Sequence, residues 1–200
     1  MSGFGGLLIE DSEIDGMGKA PVGIYGADWT GRRLNVHSAI DGVRLESSTT
    51  LQDSYVHNLS RLPGSHNDAV QTLGGSEIVV ENNTLLAYNP ATDDPMNGVI
   101  QTGELSTQLD DVRVAGNYMD GGSFTVRGGA GPRDGDLIGD YTFEDNIIGP
   151  NCGYGPMHGV EPPVTWGAGN RWAVTGETIL ISGQDESVNC LKEHRSRVFP

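Results

Sequence analysis

The segment "SHNDAVQ" places His66 two residues before Asp68, at the start of a short apolar stretch. Histidine is the side chain whose unperturbed pKa lets it exchange a proton near neutral pH. Asp68 could orient that imidazole or act as an acid or base itself. Arg44, in "DGVRLES", could neutralise a carboxylate before an adjacent proton is removed. The predicted catalytic residues are therefore His66, Asp68 and Arg44.

Five short strands share the pattern that contains Asp68: "VGIYG" (22–26), "DGVRLES" (41–47), "DAVQTLGG" (68–75), "NGVIQTGE" (97–104) and "SFTVRGG" (123–129). Aligning their small residues places Asp41, Asp68 and Asn97 in one column. Tyr25, Arg44 and Gln71 form a second column, with Gln101 joining it after a one-residue shift. Strand alternation would turn Val43 and Val70 inward and Arg44 and Gln71 outward. Amide, guanidinium and carboxylate groups can hydrogen-bond sugar hydroxyls, and aromatic rings can stack on sugar rings. The predicted substrate-binding residues are therefore Gln71, Gln101, Tyr25, Asp41, Trp29 and Arg127.

A structural interpretation competes with this one. Aspartate before a strand often hydrogen-bonds its own backbone, and His66 in a turn could simply be solvated. Asp93 and Asp94, or Asp134 and Asp136, would suit Ca²⁺, although neither pair matches an EF-hand loop. Solvated loops are favoured there, so the prediction names no metal site and no required cofactor.

A second motif recurs seven times, as alternating apolar residues, a small polar pair and another apolar residue; "IVVENNTL" (78–85) and "YTFEDNII" (141–148) are examples. Stacked strands of this kind predict an all-β, right-handed parallel β-helix, because each coil must bury its apolar side against its neighbours. A β-sandwich is the rival fold. We expect a right-handed parallel β-helix domain over 1–182 and a C-terminal cap over 183–200. The polar column predicted at one corner is Ser12, Ser38, Ser54, Asn83, Asn117, Asn146, Asn170.

The amino-acid composition limits the kinds of partner that the protein can bind and the cellular compartment in which it works. A net charge of −15, from 12 Lys and Arg against 27 Asp and Glu, argues against nucleic acid. No apolar run is long enough to span a bilayer, and the first residues lack the features of a signal peptide. Cys152 and Cys190, the only cysteines, have no zinc-site spacing. A disulfide in an oxidising compartment is the favoured interpretation, and two buried thiols are the alternative.

The runs "IDGVRL", "SHNDAVQ", "GGSEIVVENNT" and "GGSFTV" resemble the secreted right-handed β-helix proteins of the pectate-lyase-like superfamily, over roughly 7–181. The resemblance implies an extracellular protein that binds polysaccharide and cleaves it by β-elimination or hydrolysis. It carries over His66, Asp68 and Arg44 as groove residues, but neither a Ca²⁺-binding acid cluster nor paired hydrolase aspartates are legible. We expect a lyase acting on an acidic, uronic-acid glycan. A glycoside hydrolase, a non-catalytic glycan-binding module and a structural or adhesive protein such as a phage tail spike are alternatives. A monomer is expected, and a trimer would favour the adhesive alternative.

Overall fold

The computed structural model describes residues 6–89, 92–103, 105–129, 137–160, 163–180 and Cys190. Its strands form three parallel sheets, so the chain is an all-β, right-handed parallel β-helix, as the repeat predicts. The β-sandwich is excluded, because every pairing between named strands is parallel and joins one coil to the next. Within the described residues, no helix has both the length and the apolar character needed to cross a membrane.

Each full coil contributes one strand to each sheet, in the order A, B, C. Sheet A holds β1 (Leu7–Glu10), β4 (Trp29–Arg32), β7 (Thr49–Gln52), β10 (Gly75–Glu81), β13 (Leu109–Ala115), β16 (Tyr141–Glu144) and β19 (Val164–Trp166). Sheet B holds β2 (Glu13–Asp15), β5 (Asn35–His37), β8 (Tyr55–His57), β11 (Thr84–Ala87), β14 (Tyr118–Gly121), β17 (Ile147–Ile148) and β20 (Arg171–Trp172). Sheet C holds β3 (Val22–Gly26), β6 (Asp41–Leu45), β9 (Asp68–Thr72), β12 (Gly98–Thr102), β15 (Phe124–Arg127) and β18 (Gly155–His158).

The corner between sheets A and B is held by a ladder of buried asparagines. The side-chain oxygens of Asn83, Asn117, Asn146 and Asn170 each accept the backbone N–H of the corresponding residue in the preceding coil, at 2.9–3.0 Å. Each Nδ2 donates to a carbonyl of sheet A at 2.9–3.0 Å. Because buried backbone groups need partners, this ladder sets the register of successive coils.

The predicted column is wrong at one member. Ser38 follows β5 and lies at the far end of sheet B, while Leu34 occupies the position between Ser12 and Ser54 and donates its N–H to Ser54 Oγ at 3.0 Å. A left-handed backbone conformation occurs at the residue before a ladder asparagine, as at Asn82 (φ 56°) and Gly116 (φ 66°), and not at the ladder asparagines themselves. The ladder asparagines therefore stabilise the corner through the hydrogen bonds that their side-chain amides make between coils, and not through a left-handed backbone conformation.

The core fills the space enclosed by the three sheets. Val43 and Val70 are buried, as the alternation predicts, and so is Trp172, while Trp166 packs against the core from its edge. Cys152 and Cys190 form a disulfide, so the predicted pairing is confirmed and the alternative of free thiols is wrong. The rest of the predicted cap lies outside the described residues.

Replacing Asn117 by alanine tests the ladder. The Asn83 N–H and the Val80 carbonyl would each lose a buried partner, which should lower the free energy of unfolding by about 2–4 kcal/mol. Urea denaturation followed by circular dichroism measures the change. Thr50→Ala, a matched loss of a hydroxyl on the outer side of sheet A, should stay within about 0.5 kcal/mol of wild type. Equal midpoints for both variants would show that the ladder does not hold the coils.

Reducing the disulfide should also destabilise the protein. Cys152 and Cys190 are 38 residues apart in sequence, and closing a loop of that size stabilises the folded state by about 3–4 kcal/mol in the chain-entropy account. The urea midpoint should therefore fall when dithiothreitol is present. The double variant Cys152→Ser/Cys190→Ser should start at the lower midpoint and show no response to the reductant.

Candidate functional site

The outer face of sheet C carries two rows of residues in register that run across all six strands. The backbone pairings bring together, in the second row, residues from distant parts of the chain. Six strands at about 4.8 Å spacing make each row about 24 Å long. From β3 to β18, the first row is Val22, Asp41, Asp68, Gly98, Phe124, Gly155, and the second row is Tyr25, Arg44, Gln71, Gln101, Arg127, His158.

The register differs from the sequence alignment at β12. Gln101 pairs directly with Gln71, without the predicted one-residue shift, and Gly98 stands beside Asp68 where Asn97 was expected. The reason is that Val99, and not Gly98, occupies the inward position of Ala69, and it is fully buried there. Aligning glycine with glycine therefore misplaced this strand by one residue.

His66 and Asp68 form a hydrogen-bonded pair at the middle of the first row. His66 Nδ1 lies 3.0 Å from Asp68 Oδ2, and the imidazole is 53% exposed while the aspartate side chain is fully buried. Gln71 Nε2 donates to the same oxygen at 3.2 Å. Burial raises the pKa of Asp68, and the hydrogen bond that His66 donates to Asp68 raises the pKa of His66 above its ordinary 6.5. The pair thus presents an oriented imidazole that can exchange protons with a ligand.

Asp41 and Arg44 form a second pair on the next strand. Arg44 Nη2 donates to Asp41 Oδ2 at 3.2 Å, and Asp41 Oδ1 accepts the Asp68 N–H at 3.1 Å. Burial, and then the charge of Asp68, raise the pKa of Asp41. The Arg44 guanidinium also lies 5.7 Å from the centre of the Tyr25 ring. Arg44 is therefore placed on the predicted face, with part of its charge compensated by Asp41.

Unpartnered polar atoms concentrate on this face. Seven buried side-chain nitrogen or oxygen atoms among the described residues lack a hydrogen-bond partner, and five of them belong to the two rows. Buried polar atoms are normally satisfied in a folded protein, so these atoms can accept or donate further hydrogen bonds, to ordered water or to a ligand. The five atoms are Arg44 Nε, Asp68 Oδ1, Gln71 Oε1, Gln101 Oε1 and Arg127 Nε.

An aromatic cluster at the β15–β18 end was not predicted from the sequence. The Phe124 ring stacks on His158 with centroids 4.8 Å apart, and the exposed Tyr154 ring lies 5.6 Å from Phe124. Arg127 completes the cluster, with its guanidinium 5.6 Å from the Phe124 centroid. The sequence "YGPMHG" was missed because its glycines and proline conceal the strand, although Met157 and His158 pair with Val126 and Arg127 as one more coil.

The opposite end of the rows opens into a cleft of about 320 Å³. Tyr25 and Arg44 form one wall, and the turn after β9 with Gly74 and Thr107 forms the other. The hydroxyl of Tyr25 donates to Glu46 Oε1 at 2.6 Å, which holds the exposed phenol at the mouth. The second row therefore leads from this cleft to the aromatic cluster.

Several predicted residues lie elsewhere. Trp29 belongs to sheet A and is only 4% exposed, with Nε1 donating to the Gly26 carbonyl at 3.0 Å, so its indole is in the core and not on this face. His37 and His57 lie on sheet B and not on sheet C. Asp94 is paired with Arg61 at 3.1 Å. Asp134 and Asp136 lie outside the described residues, and within the described part no group of three His, Cys, Asp or Glu side chains could hold a metal.

No protein-family model, no curated protein and no solved structure matches the chain. Membership of the pectate-lyase-like superfamily therefore stays a prediction, whereas the parallel β-helix is observed.

The pKa values of His66 and His57 should be shifted in opposite directions from the ordinary value of histidine. His66 should have a pKa above 6.5 because Asp68 stabilises the imidazolium, and His57 a pKa below it because burial and then His37 disfavour the charge. The stabilisation from charged His66 is complete below pH 6.5 and is lost as the pH rises through its raised pKa. Two-dimensional NMR of the imidazole carbons measures both values.

Asp68→Asn should lower the pKa of His66 and leave that of His57 unchanged, since His57 lies on another sheet. An unchanged His66 titration in this variant would contradict the coupling of the pair.

Proposed function

We propose that this protein binds and cleaves a polysaccharide along the outer face of sheet C, with an acidic, uronic-acid glycan as substrate and β-elimination as the reaction. The observation that carries the proposal is the oriented His66–Asp68 pair within a row of partly unsatisfied polar groups, flanked on either side by an arginine. The resemblance to the pectate-lyase-like superfamily supports the same class. An extracellular location is part of the proposal, and the disulfide is consistent with it.

The reaction assigns one role to each group. Neutral His66 takes the proton on the carbon next to the substrate carboxylate through Nε2, because Nδ1 is held by Asp68. The electron pair forms the new carbon–carbon double bond, the glycosidic carbon–oxygen bond breaks, and the leaving oxygen takes up a proton from imidazolium or water. Arg44 offsets the charge that develops on the carboxylate, and Gln71 and Gln101 position the sugar.

The pH dependence follows from the His66 environment. A base acts only in its neutral form, and the Asp68 hydrogen bond raises the pKa of His66. The rate should therefore rise as the pH increases through that raised value.

Removing the imidazole tests the catalytic role. A panel of uronic-acid and neutral polysaccharides, assayed by absorbance of unsaturated products and by release of reducing ends, identifies the substrate and the bond chemistry. His66→Ala should lower kcat by about 10²–10⁴-fold while glycan binding and the circular dichroism spectrum persist. His57→Ala, the same substitution on sheet B, is the matched control and should retain activity. Full turnover by His66→Ala on the true substrate would eliminate this mechanism.

A non-catalytic glycan-binding module is the second candidate, and the aromatic cluster favours it. Phe124, His158 and Tyr154 offer ring faces to a sugar without any need for proton transfer. Binding to a glycan array without new reducing ends or unsaturated products would select this function. Reducing ends without unsaturated products would indicate a hydrolase, and a stable trimer in solution would favour the adhesive alternative.

A further inference from the structure

A gap interrupts the first row where Gly98 stands between Asp68 and Phe124. Glycine has no side chain, and the position that a β-carbon would take lies 3.2 Å from Asp68 Oδ1 and 3.3 Å from Gln101 Oε1. We call this space, bounded by Gly98, Asp68 and Gln101, the Gly98 notch. The two acceptor oxygens thus lie close against the Gly98 backbone, and the space between them is narrow, since a β-carbon there would be nearer to both than ordinary van der Waals contact.

Both oxygens are buried and have hydrogen-bonding capacity to spare. Asp68 is fully buried and Gln101 is 7% exposed. Gln101 Oε1 has no hydrogen-bond partner among the described residues, and the Asp68 carboxyl receives only a weak contact from the Gly98 N–H besides the bonds made by its Oδ2. A buried acceptor without a donor is costly, so a ligand that supplies a donor gains by satisfying it.

The orientations of both side chains are fixed by their other atoms. Gln101 Nε2 donates to the Thr102 carbonyl at 2.8 Å, which leaves Oε1 as the atom near the notch. Asp68 Oδ2 already serves His66 and Gln71. Satisfying the notch therefore requires hydrogen-bond donors, and a ligand that brings only acceptors would leave both oxygens unpaired.

The surrounding charges favour a neutral donor over a cation. Asp68 supplies the carboxylate nearest to Gly98 among the described residues, and Arg127 is in register beside Gln101. Arg127 makes no ion pair or hydrogen bond within the described part of the chain, yet its charge acts on Asp68. A cation would meet one carboxylate and a neighbouring guanidinium, whereas a hydroxyl group satisfies an oxygen without opposing that charge.

We propose that the Gly98 notch is a specificity subsite for a sugar unit, whose hydroxyl groups donate to Asp68 Oδ1 and Gln101 Oε1 while Arg127 receives the carboxylate of an acidic unit. This inference rests on the proposed function and adds a recognition element to it. A site that satisfies buried acceptors with substrate hydroxyls discriminates strongly against a sugar that lacks them.

Gly98→Ala tests the notch by filling it. The backbone at Gly98 is not left-handed, and the new methyl group would press on Asp68 and Gln101 only at 3.2–3.4 Å, so the fold should persist. Binding is measured by titration calorimetry in the His66→Ala background, which prevents turnover. The probes are the trisaccharides of galacturonate, mannuronate and xylose. The Kd of the trisaccharide that binds should rise about 10–100-fold.

A second test variant and a control variant complete the experiment. Gln101→Met removes one acceptor with little change in volume and should weaken the same trisaccharide. Thr50→Ala on sheet A is the control and should bind like the parent. Circular dichroism and urea midpoints verify that each variant is folded.

The outcomes separate this subsite from the function on which it rests. Unchanged affinity in both Gly98→Ala and Gln101→Met overturns the subsite while glycan binding stands. Binding of xylotriose alone, weakened by Gly98→Ala, supports the notch and overturns the acidic substrate. Binding of CaCl₂ alone, lost in Gly98→Ala, identifies a cation site and overturns the subsite. Failure of all three trisaccharides to bind overturns both the subsite and the glycan class.

Discussion

The structure depends on one constraint, which is that each coil must lie in register on the next. In a parallel β-helix no coil can bury its own apolar side or pair its own backbone, so both requirements are met only between neighbours. The buried amides of Asn83, Asn117, Asn146 and Asn170 fix that register, since each bonds the backbone of the coil before it. A slip of one residue would leave these groups unpaired and reverse the side chains of every strand. The register fixed by this ladder also decides which side chains become neighbours on the outer faces of the sheets.

The two polar stacks of the molecule contrast in how fully they are satisfied. In the asparagine ladder, every side-chain oxygen and nitrogen of Asn83, Asn117 and Asn146 has a partner within the protein. On the outer face of sheet C, five buried atoms have none. Both stacks arise from the same in-register repetition. The side chains of the ladder make their hydrogen bonds within the protein, whereas five buried atoms on sheet C can still form hydrogen bonds to other molecules. That difference supports the proposal that the functional surface lies on sheet C.

Local charge on sheet C departs from the charge of the chain. The whole sequence carries −15, which would repel an acidic glycan at long range. Arg44 and Arg127 nevertheless stand in the second row at strands β6 and β15, and Asp41 and Asp68 stand in the first row at β6 and β9. Screening at physiological salt limits the repulsion of distant charges, so recognition there depends on the groups in contact. The face thus presents a cation on either side of a buried acid and its imidazole.

The sequence by itself determined the fold class, because recurring apolar alternation with an asparagine at one point predicts stacked coils. It also predicted that Arg44 and Gln71 face outward, since each directly follows an inward valine, Val43 or Val70. Strict alternation would turn Asp68, two residues before Val70, inward as well, and its outward position is seen only in its contacts with His66 and Gln71. The tertiary structure alone decided the rest. Leu34 replaces Ser38 in the ladder, Gly98 and not Asn97 stands beside Asp68, and His158 joins the second row from a strand that the sequence conceals. The physical reason is that register is set by hydrogen bonds between successive coils, which join a backbone N–H and a side-chain oxygen 20 to 34 positions apart in the ladder, and loops of unequal length hide that spacing in the sequence.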